Sequence, residues 1–220
     1  MMEKILHVVR HGQATHNIVK DLNELEHRRD DFEDAELTEV GISQCHQLSN
    51  SLEEKLSKID LLVTSPLNRA VQTSINAFNN LQNIIPWISL DFIRERTGFH
   101  PCDKRRSINE KMMKYPTIDF SAIEEDDDLL YAQYLHEREP LPAVHERARK
   151  FLKWLATREE KEIIMVSHGA FIEEFVLAVL NLHKTGDVCA FESTSFRNCE
   201  LRSIRLTWDD NNLIQARYSI

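Results

Sequence analysis

Positive charge is in short supply in this sequence: 27 lysines and arginines stand against 36 aspartates and glutamates, for a formal net charge of −9 over 220 residues. Such a chain has no general basic face with which to neutralise a nucleic-acid backbone, so nucleic acid is not an expected partner. A single cationic pocket for a small anion stays compatible with it, because local charge overrides the global field. Cysteine is sparse too. Cys45, Cys102, Cys189 and Cys199 include no C-x-x-C pair, which excludes a zinc ribbon and a dithiol redox motif. Free thiols in a reducing compartment are the expectation. No G-x-x-x-x-G-K-S/T run is present, which excludes a P-loop. No apolar stretch approaches membrane-spanning length, and Met1-Met2-Glu3-Lys4 runs into a strand-like segment rather than a signal-peptide core. A cytoplasmic or nuclear location with no membrane partner is expected. There is neither an internal repeat nor a low-complexity linker, so residues 1–220 are expected to form one domain.

What is present is an alternation of short β-branched runs and longer helical patterns. Ile5-Leu6-His7-Val8-Val9, Leu61-Leu62-Val63-Thr64 and Ile163-Ile164-Met165-Val166 read as buried strands. Thr38 to about Leu56 reads as a helix with Thr38 as N-cap. A helix from Ser65 would place Pro66 at its first position, where a missing N–H costs nothing. Pro142 to about Arg158 and Ala170 to Leu182 complete the helices, the last apolar nearly all round. Glu200–Thr207 and Leu213–Ser219, around Asp209-Asp210-Asn211-Asn212, read as a closing hairpin. This order predicts a three-layer α/β/α fold with a mainly parallel central sheet. Sites in such sheets form at the carboxyl ends of the strands.

The scarcity of glycine points to those ends. There are five glycines, and two of them, Gly12 and Gly169, directly follow a histidine at a predicted strand end. Glycine there lets the backbone approach a ligand closely, and a following helix start offers N–H groups to an anion. The first such element is Arg10-His11-Gly12, continuing to Asn17. Ser65-Pro66-Leu67-Asn68-Arg69-Ala70-Val71-Gln72-Thr73, Arg94-Glu95-Arg96-Thr97-Gly98 and Ser167-His168-Gly169 follow in order.

Taken together, with Leu37-Thr38-Glu39-Val40-Gly41-Ile42-Ser43-Gln44, these elements resemble the histidine phosphatase superfamily with its phosphoglycerate-mutase-like fold. The resemblance runs from residue 5 to about 175. It implies that His11 attacks phosphorus and carries a phosphohistidine. It implies that Arg10 and Arg69 clamp the phosphoryl oxygens, as guanidinium groups do bidentately. His168 would donate to the transferring group as an imidazolium. Gly12, Asn17 and Gly169 complete the implied phosphate contacts. Glu95 is the implied general acid, with Asp91 and Asp103 as competitors. The implied substrate is a small phosphorylated metabolite, with no cofactor and no metal.

The sequence departs from the mutases after Arg-His-Gly, where Gln13-Ala14-Thr15-His16 stands, and again after Glu95. There the run His100-Pro101-Cys102-Asp103-Lys104-Arg105-Arg106-Ser107 resembles fungal and plant phosphatase-like members, and favours a phosphatase over a phosphoglycerate-type mutase. Lys104, Arg105 and Arg106 would either grip a second anionic group or form a solvated basic turn. Residues 97–140 are expected to lie over the site as a lid, with the aromatics Tyr131 and Tyr134 as capping side chains and Leu135 following them. Glu124-Glu125-Asp126-Asp127-Asp128 reads as a solvated loop. Asn198-Cys199-Glu200 is a further similarity to those members, without an assigned role. Two other readings remain: a metal site using His7, His11, His16 and His27, which lack ligand spacing, and a non-catalytic module that binds phosphorylated ligands.

Overall fold

A computed structural model describes residues 1–18, 30–52, 58–182, 194–210 and 212–219. Six strands form one sheet: β1 (Met2–Arg10), β2 (Leu61–Thr64), β3 (Trp87–Ser89), β4 (Glu162–Ser167), β5 (Leu201–Asp209) and β6 (Asn212–Ser219). Their order is β3-β2-β4-β1-β5-β6. The β1–β4, β2–β4 and β2–β3 pairings are parallel, whereas β5 joins β1 and β6 joins β5 antiparallel. The sheet is therefore mixed, its parallel half built from the strands read as buried runs. Strand β3 is followed by a 3-10 turn at Asp91–Ile93, which leads into Arg94 and Glu95.

Strand periodicity divides the core in two. Leu6, Val8, Leu61, Val63, Ile163 and Met165 face one side and pack with Phe151, Phe171 and Phe175. Val9, Leu62, Ile164 and Val166 face the other and pack with Cys45, Leu48, Val71 and Phe78. Those partners come from α6 (Leu141–Ala156) and α7 (Gly169–Leu182) on the first face, and from α2 (Glu39–Leu52) and α3 (Asn68–Phe78) on the second. Alternation with a period of two places successive strand residues on opposite faces, which gives the three layers. A short α1 spans Thr15–Ile18, and α4 (Ile108–Lys114) and α5 (Leu129–Gln133) lie in the connection between β3 and α6.

The helix boundaries follow local chemistry. Thr38 Oγ1 accepts from the Gly41 amide at 3.0 Å, the N-cap expected of it. Residues 53–57, where that helix was expected to end, lie outside the described residues. The next helix starts at Asn68 rather than Ser65. Leu67 is extended, Ser65 Oγ accepts the Leu67 amide, and the buried Asp34 carboxylate accepts the Asn68 amide at 2.7 Å. Pro66 thus sits in an extended lead-in. Asp34 also pairs with the buried Lys111 of α4, whose ammonium donates to Asn68 Oδ1. This polar cluster fixes the start of α3, one residue before Arg69.

The acidic run is a loop with Glu124–Asp127 exposed, as expected, but its backbone and its last residue are engaged by arginines. The guanidinium of the buried Arg105 donates to the carbonyls of Glu125, Asp126 and Asp127. Asp128 takes the fully buried Arg94 bidentately, at 2.7 Å for each bond. Strand registry then decides where function sits. Arg10 pairs with Ser167 and Thr64 with Val166, so the carboxyl ends of β1, β4 and β2 lie level. His11, His168 and Ser65 follow those ends.

Candidate active site

The turn after β1 is held at every backbone group. The His11 amide donates to the Ser167 carbonyl at 2.9 Å, and the Gly12 amide donates to Thr73 Oγ1 at 2.9 Å. The Gly12 N–H, expected to meet phosphate, is thus already paired. A carbonyl oxygen can only accept, so the 2.7 Å contact of His11 Nδ1 with Gly12 O fixes Nδ1 as the protonated nitrogen. Nε2 keeps its lone pair and has no hydrogen-bond partner among the described residues. Burial, and then the charge of Arg69, holds the His11 pKa well below the usual histidine value. The imidazole is therefore neutral near neutral pH, with the Nε2 lone pair available.

Two arginines flank it. Arg10 Nη1 donates to the Phe196 carbonyl at 2.5 Å, while its Nε is buried without a hydrogen-bond partner among the described residues. Gly169 lies against the same guanidinium, where an added Cβ would be 3.6 Å from Nε. Arg69 is buried and donates through Nε to His168 Nδ1, through Nη1 to the Cys102 carbonyl and through Nη2 to Asp103 Oδ1. A guanidinium has five N–H donors, so two remain for an anion.

His168 corrects one expectation. Arginine can only donate, so Nδ1 of His168 accepts and the ring is neutral rather than an imidazolium. Its Nε2 proton goes to Ser65 Oγ at 2.7 Å. Burial and the adjacent Arg69 charge depress its pKa well below the usual value. The rings of His11 and His168 lie 5.0 Å apart. Asn17 is engaged locally: its Oδ1 accepts from the Ala14 amide and its Nδ2 meets His16 Nε2, both at 3.0 Å.

Glu95 occupies the start of α7. Its Oε1 accepts from the amides of Arg96, Ala170 and Phe171 at 2.8, 3.1 and 3.2 Å. The helix N-terminus expected to receive phosphate thus receives this carboxyl group instead. Burial, reinforced by the charge of Asp103, raises the Glu95 pKa above the ordinary carboxylate value. The competitors are differently placed. Asp103 is ion-paired to Arg69 and Arg138, and Asp91 to Arg94 and Arg105.

The basic run does not form an open anion grip. Arg105 is buried in carbonyl contacts, and Lys104 and Arg106 pair with the two oxygens of Glu33. His7 of the metal reading is bonded to Ser203 and Glu162 within the sheet, and His27 lies outside the described residues. Among the described residues no group of three or more His, Cys, Asp or Glu is arranged to hold a metal ion.

Two contributors escaped the sequence reading. Asn198 Nδ2 donates to the His11 carbonyl at 2.9 Å, and the Cys199 amide donates to the Arg10 carbonyl at 3.0 Å. Cys199 adopts φ 55°, and its Sγ lies 3.6 Å from that of Cys45 on α2. The Asn-Cys-Glu tripeptide was the visible signal; a contact between residues so far apart in sequence was not. Gly41 is the second. A Cβ there would stand 2.1 Å from the Gln13 carbonyl oxygen, so only glycine lets α2 close on the His11 turn.

Comparison with known proteins adds a frame. A sequence model of the histidine phosphatase superfamily (branch 1) matches residues 6–217. A phosphoglycerate mutase-like protein of Arabidopsis thaliana is 34% identical, over 96% of this chain and 86% of its own length. A probable phosphatase of Schizosaccharomyces pombe is 23% identical, over 96% of this chain and 94% of its own. Among solved structures, a mycobacterial glucosyl-3-phosphoglycerate phosphatase superposes with a TM-score of 0.61 at 18% identity, covering 99% of this chain and 98% of that one.

Proposed function

The chain belongs to branch 1 of the histidine phosphatase superfamily, and from that premise we propose that it hydrolyses phosphate monoesters of small metabolites through a phosphohistidine on His11, without a metal. The observation that carries this reading is the single locked tautomer of His11. Its Nδ1–H is spent on the Gly12 carbonyl, and its Nε2, beside two arginines, has no hydrogen-bond partner among the described residues.

The chemistry balances with the groups present. Nε2 attacks phosphorus in line, forming P–N as the ester P–O bond breaks. The departing alkoxide takes its proton from Glu95, whose raised pKa favours the protonated form. Water then attacks the phosphohistidine while the Glu95 carboxylate removes its proton. P–N breaks, and His11 returns neutral with inorganic phosphate released. Arg10, whose Nε has no partner among the described residues, and the two spare donors of Arg69 offset the charge of the transferring group. That offset is the work a metal would otherwise do. The names of the similar proteins support both phosphatase and mutase-like chemistry. The engagement of Arg105 by carbonyls, and of Lys104 and Arg106 by Glu33, favours release of phosphate over its return to a bisphosphate intermediate.

Rapid acid- and base-quench after mixing with ³²P-labelled phosphate esters tests the reading. An acid-labile, base-stable phosphoryl group on the protein, with inorganic phosphate as the product, is the expected result. Interconversion of phosphoglycerates without net phosphate release would replace it with a mutase, and binding with no labelling or turnover would replace it with a binding module.

A further inference from the structure

The 3-10 turn Pro101–Asp103 gathers three arginines. Arg69 takes the Cys102 carbonyl and Asp103 Oδ1, Arg94 Nη2 takes the Asp103 carbonyl at 2.6 Å, and Arg138 takes Asp103 Oδ2 at 2.9 Å. The Asp103 side chain is 5% exposed, so both of its oxygens are committed to guanidinium groups away from bulk water. A buried carboxylate is costly unless paired, and this one is paired twice. Nothing in the hydrolysis derived above uses it as a reacting group, yet it touches a phosphoryl clamp and lies within electrostatic reach of the acid.

We propose that Asp103 is a positioning residue that fixes the Arg69 guanidinium for phosphate and, with Arg138, sets the charge around the leaving-group acid. The inference rests on the assignment of His11 and Glu95 made above. The geometry behind it is a bridge. One carboxylate oxygen holds the guanidinium of α3, and the other holds Arg138, which enters from the chain just before α6. The plane of Arg69 is then fixed at three of its nitrogens, by His168, Cys102 and Asp103. Without Asp103, Nη2 loses its anchor and Arg69 must be ordered by the substrate itself.

The second effect is electrostatic. Glu95 faces the amides of Arg96, Ala170 and Phe171, the charges of Asp103, Arg69 and Arg138, and Arg147, which donates to its carbonyl and is itself paired with Glu139. Asp103 favours the protonated acid, and Arg69 and Arg138 favour the carboxylate. Opposite charges flanking one acid give a test with two signs. Activity is lost on the alkaline side as Glu95 deprotonates. Removing the Asp103 charge lowers the Glu95 pKa and moves that limb to lower pH. Removing the Arg138 charge raises it and moves the limb to higher pH.

The experiment compares pH profiles of β-glycerophosphate hydrolysis, whose alkoxide leaving group needs the acid, and inhibition by orthovanadate in wild type, Asp103→Asn, Asp103→Glu, Arg138→Met and Glu95→Gln. In Asp103→Asn, orthovanadate should bind about tenfold more weakly, the loss of one charged hydrogen bond on the clamp. The alkaline limb should fall by about one pH unit. Asp103→Glu should restore the limb, and Arg138→Met should shift it upward. General damage to the fold would not move two limbs in opposite directions. Limbs that coincide with wild type, or that move the same way in both variants, overturn the proposal; Arg138→Met decides alone if Asp103→Asn does not fold. If Glu95→Gln keeps the alkaline limb, the assignment of the acid fails instead. Asp103 is then judged on orthovanadate, with wild-type affinity in Asp103→Asn overturning its role.

Discussion

The two His-Gly dipeptides stand at the ends of adjacent parallel strands, one residue beyond a paired register, and differ in what their histidines touch. At His11 one ring nitrogen is bound by the next residue's carbonyl and the other is open. At His168 both nitrogens are engaged, by Arg69 and Ser65. Under the proposed reaction, the same side chain in the same fold position acts as nucleophile in one case and as support in the other. The partners, not the dipeptide, set the role. The glycines differ in the same way. A Cβ on Gly12 would stand 2.9 Å from the Gly41 carbonyl oxygen and 3.2 Å from Cys199 Sγ, whereas one on Gly169 would make ordinary contact at 3.6 Å with a side chain.

The sharpest break between the two sites comes from the histidines. His11→Ala should lower phosphate release by on the order of 10⁴-fold or more and leave no acid-labile label. His168→Ala should cost on the order of 10²-fold and still label. Equal losses, or a labelled His11→Ala protein, would erase the distinction drawn here. The glycines come next. Gly12→Ala should destabilise the protein by about 2 kcal/mol or more, seen as a lower Tm, because backbone must move. Gly169→Ala should stay within about 0.5 kcal/mol of wild type. The smallest effect concerns the strap over the first site alone. Asn198→Ala removes one hydrogen bond to the His11 carbonyl, and about 1 kcal/mol corresponds to a several-fold fall in kcat/KM with His168 chemistry untouched.

The residues of the site were readable where chemistry demands a residue type next to a strand end: Arg10-His11-Gly12, Arg69 and Ser167-His168-Gly169. The parallel core was readable from three β-branched runs. What escaped lies between distant residues. Nothing local in Pro66 shows that Asp34, more than thirty positions earlier, caps Asn68 and delays the helix. Nothing in a run of five acidic residues shows that their carbonyls will enclose Arg105 and that Asp128 will bind Arg94. Protonation escaped for the same reason. The tautomer of His168 follows from a donor 99 residues away, which pattern reading cannot supply.

The strap has a consequence for how the molecule is made. Arg10-His11-Gly12 is synthesised well before the segments that hold it, since Phe196 and Asn198 reach it across sequence separations of 186 and 187 residues. Strand β1 stays an open edge until β5 docks beside it. Closing so long a loop is slow and entropically expensive, and contacts of that span form late. A nascent chain would therefore carry His11 without the framework that aligns it until the β5–β6 hairpin closes the sheet.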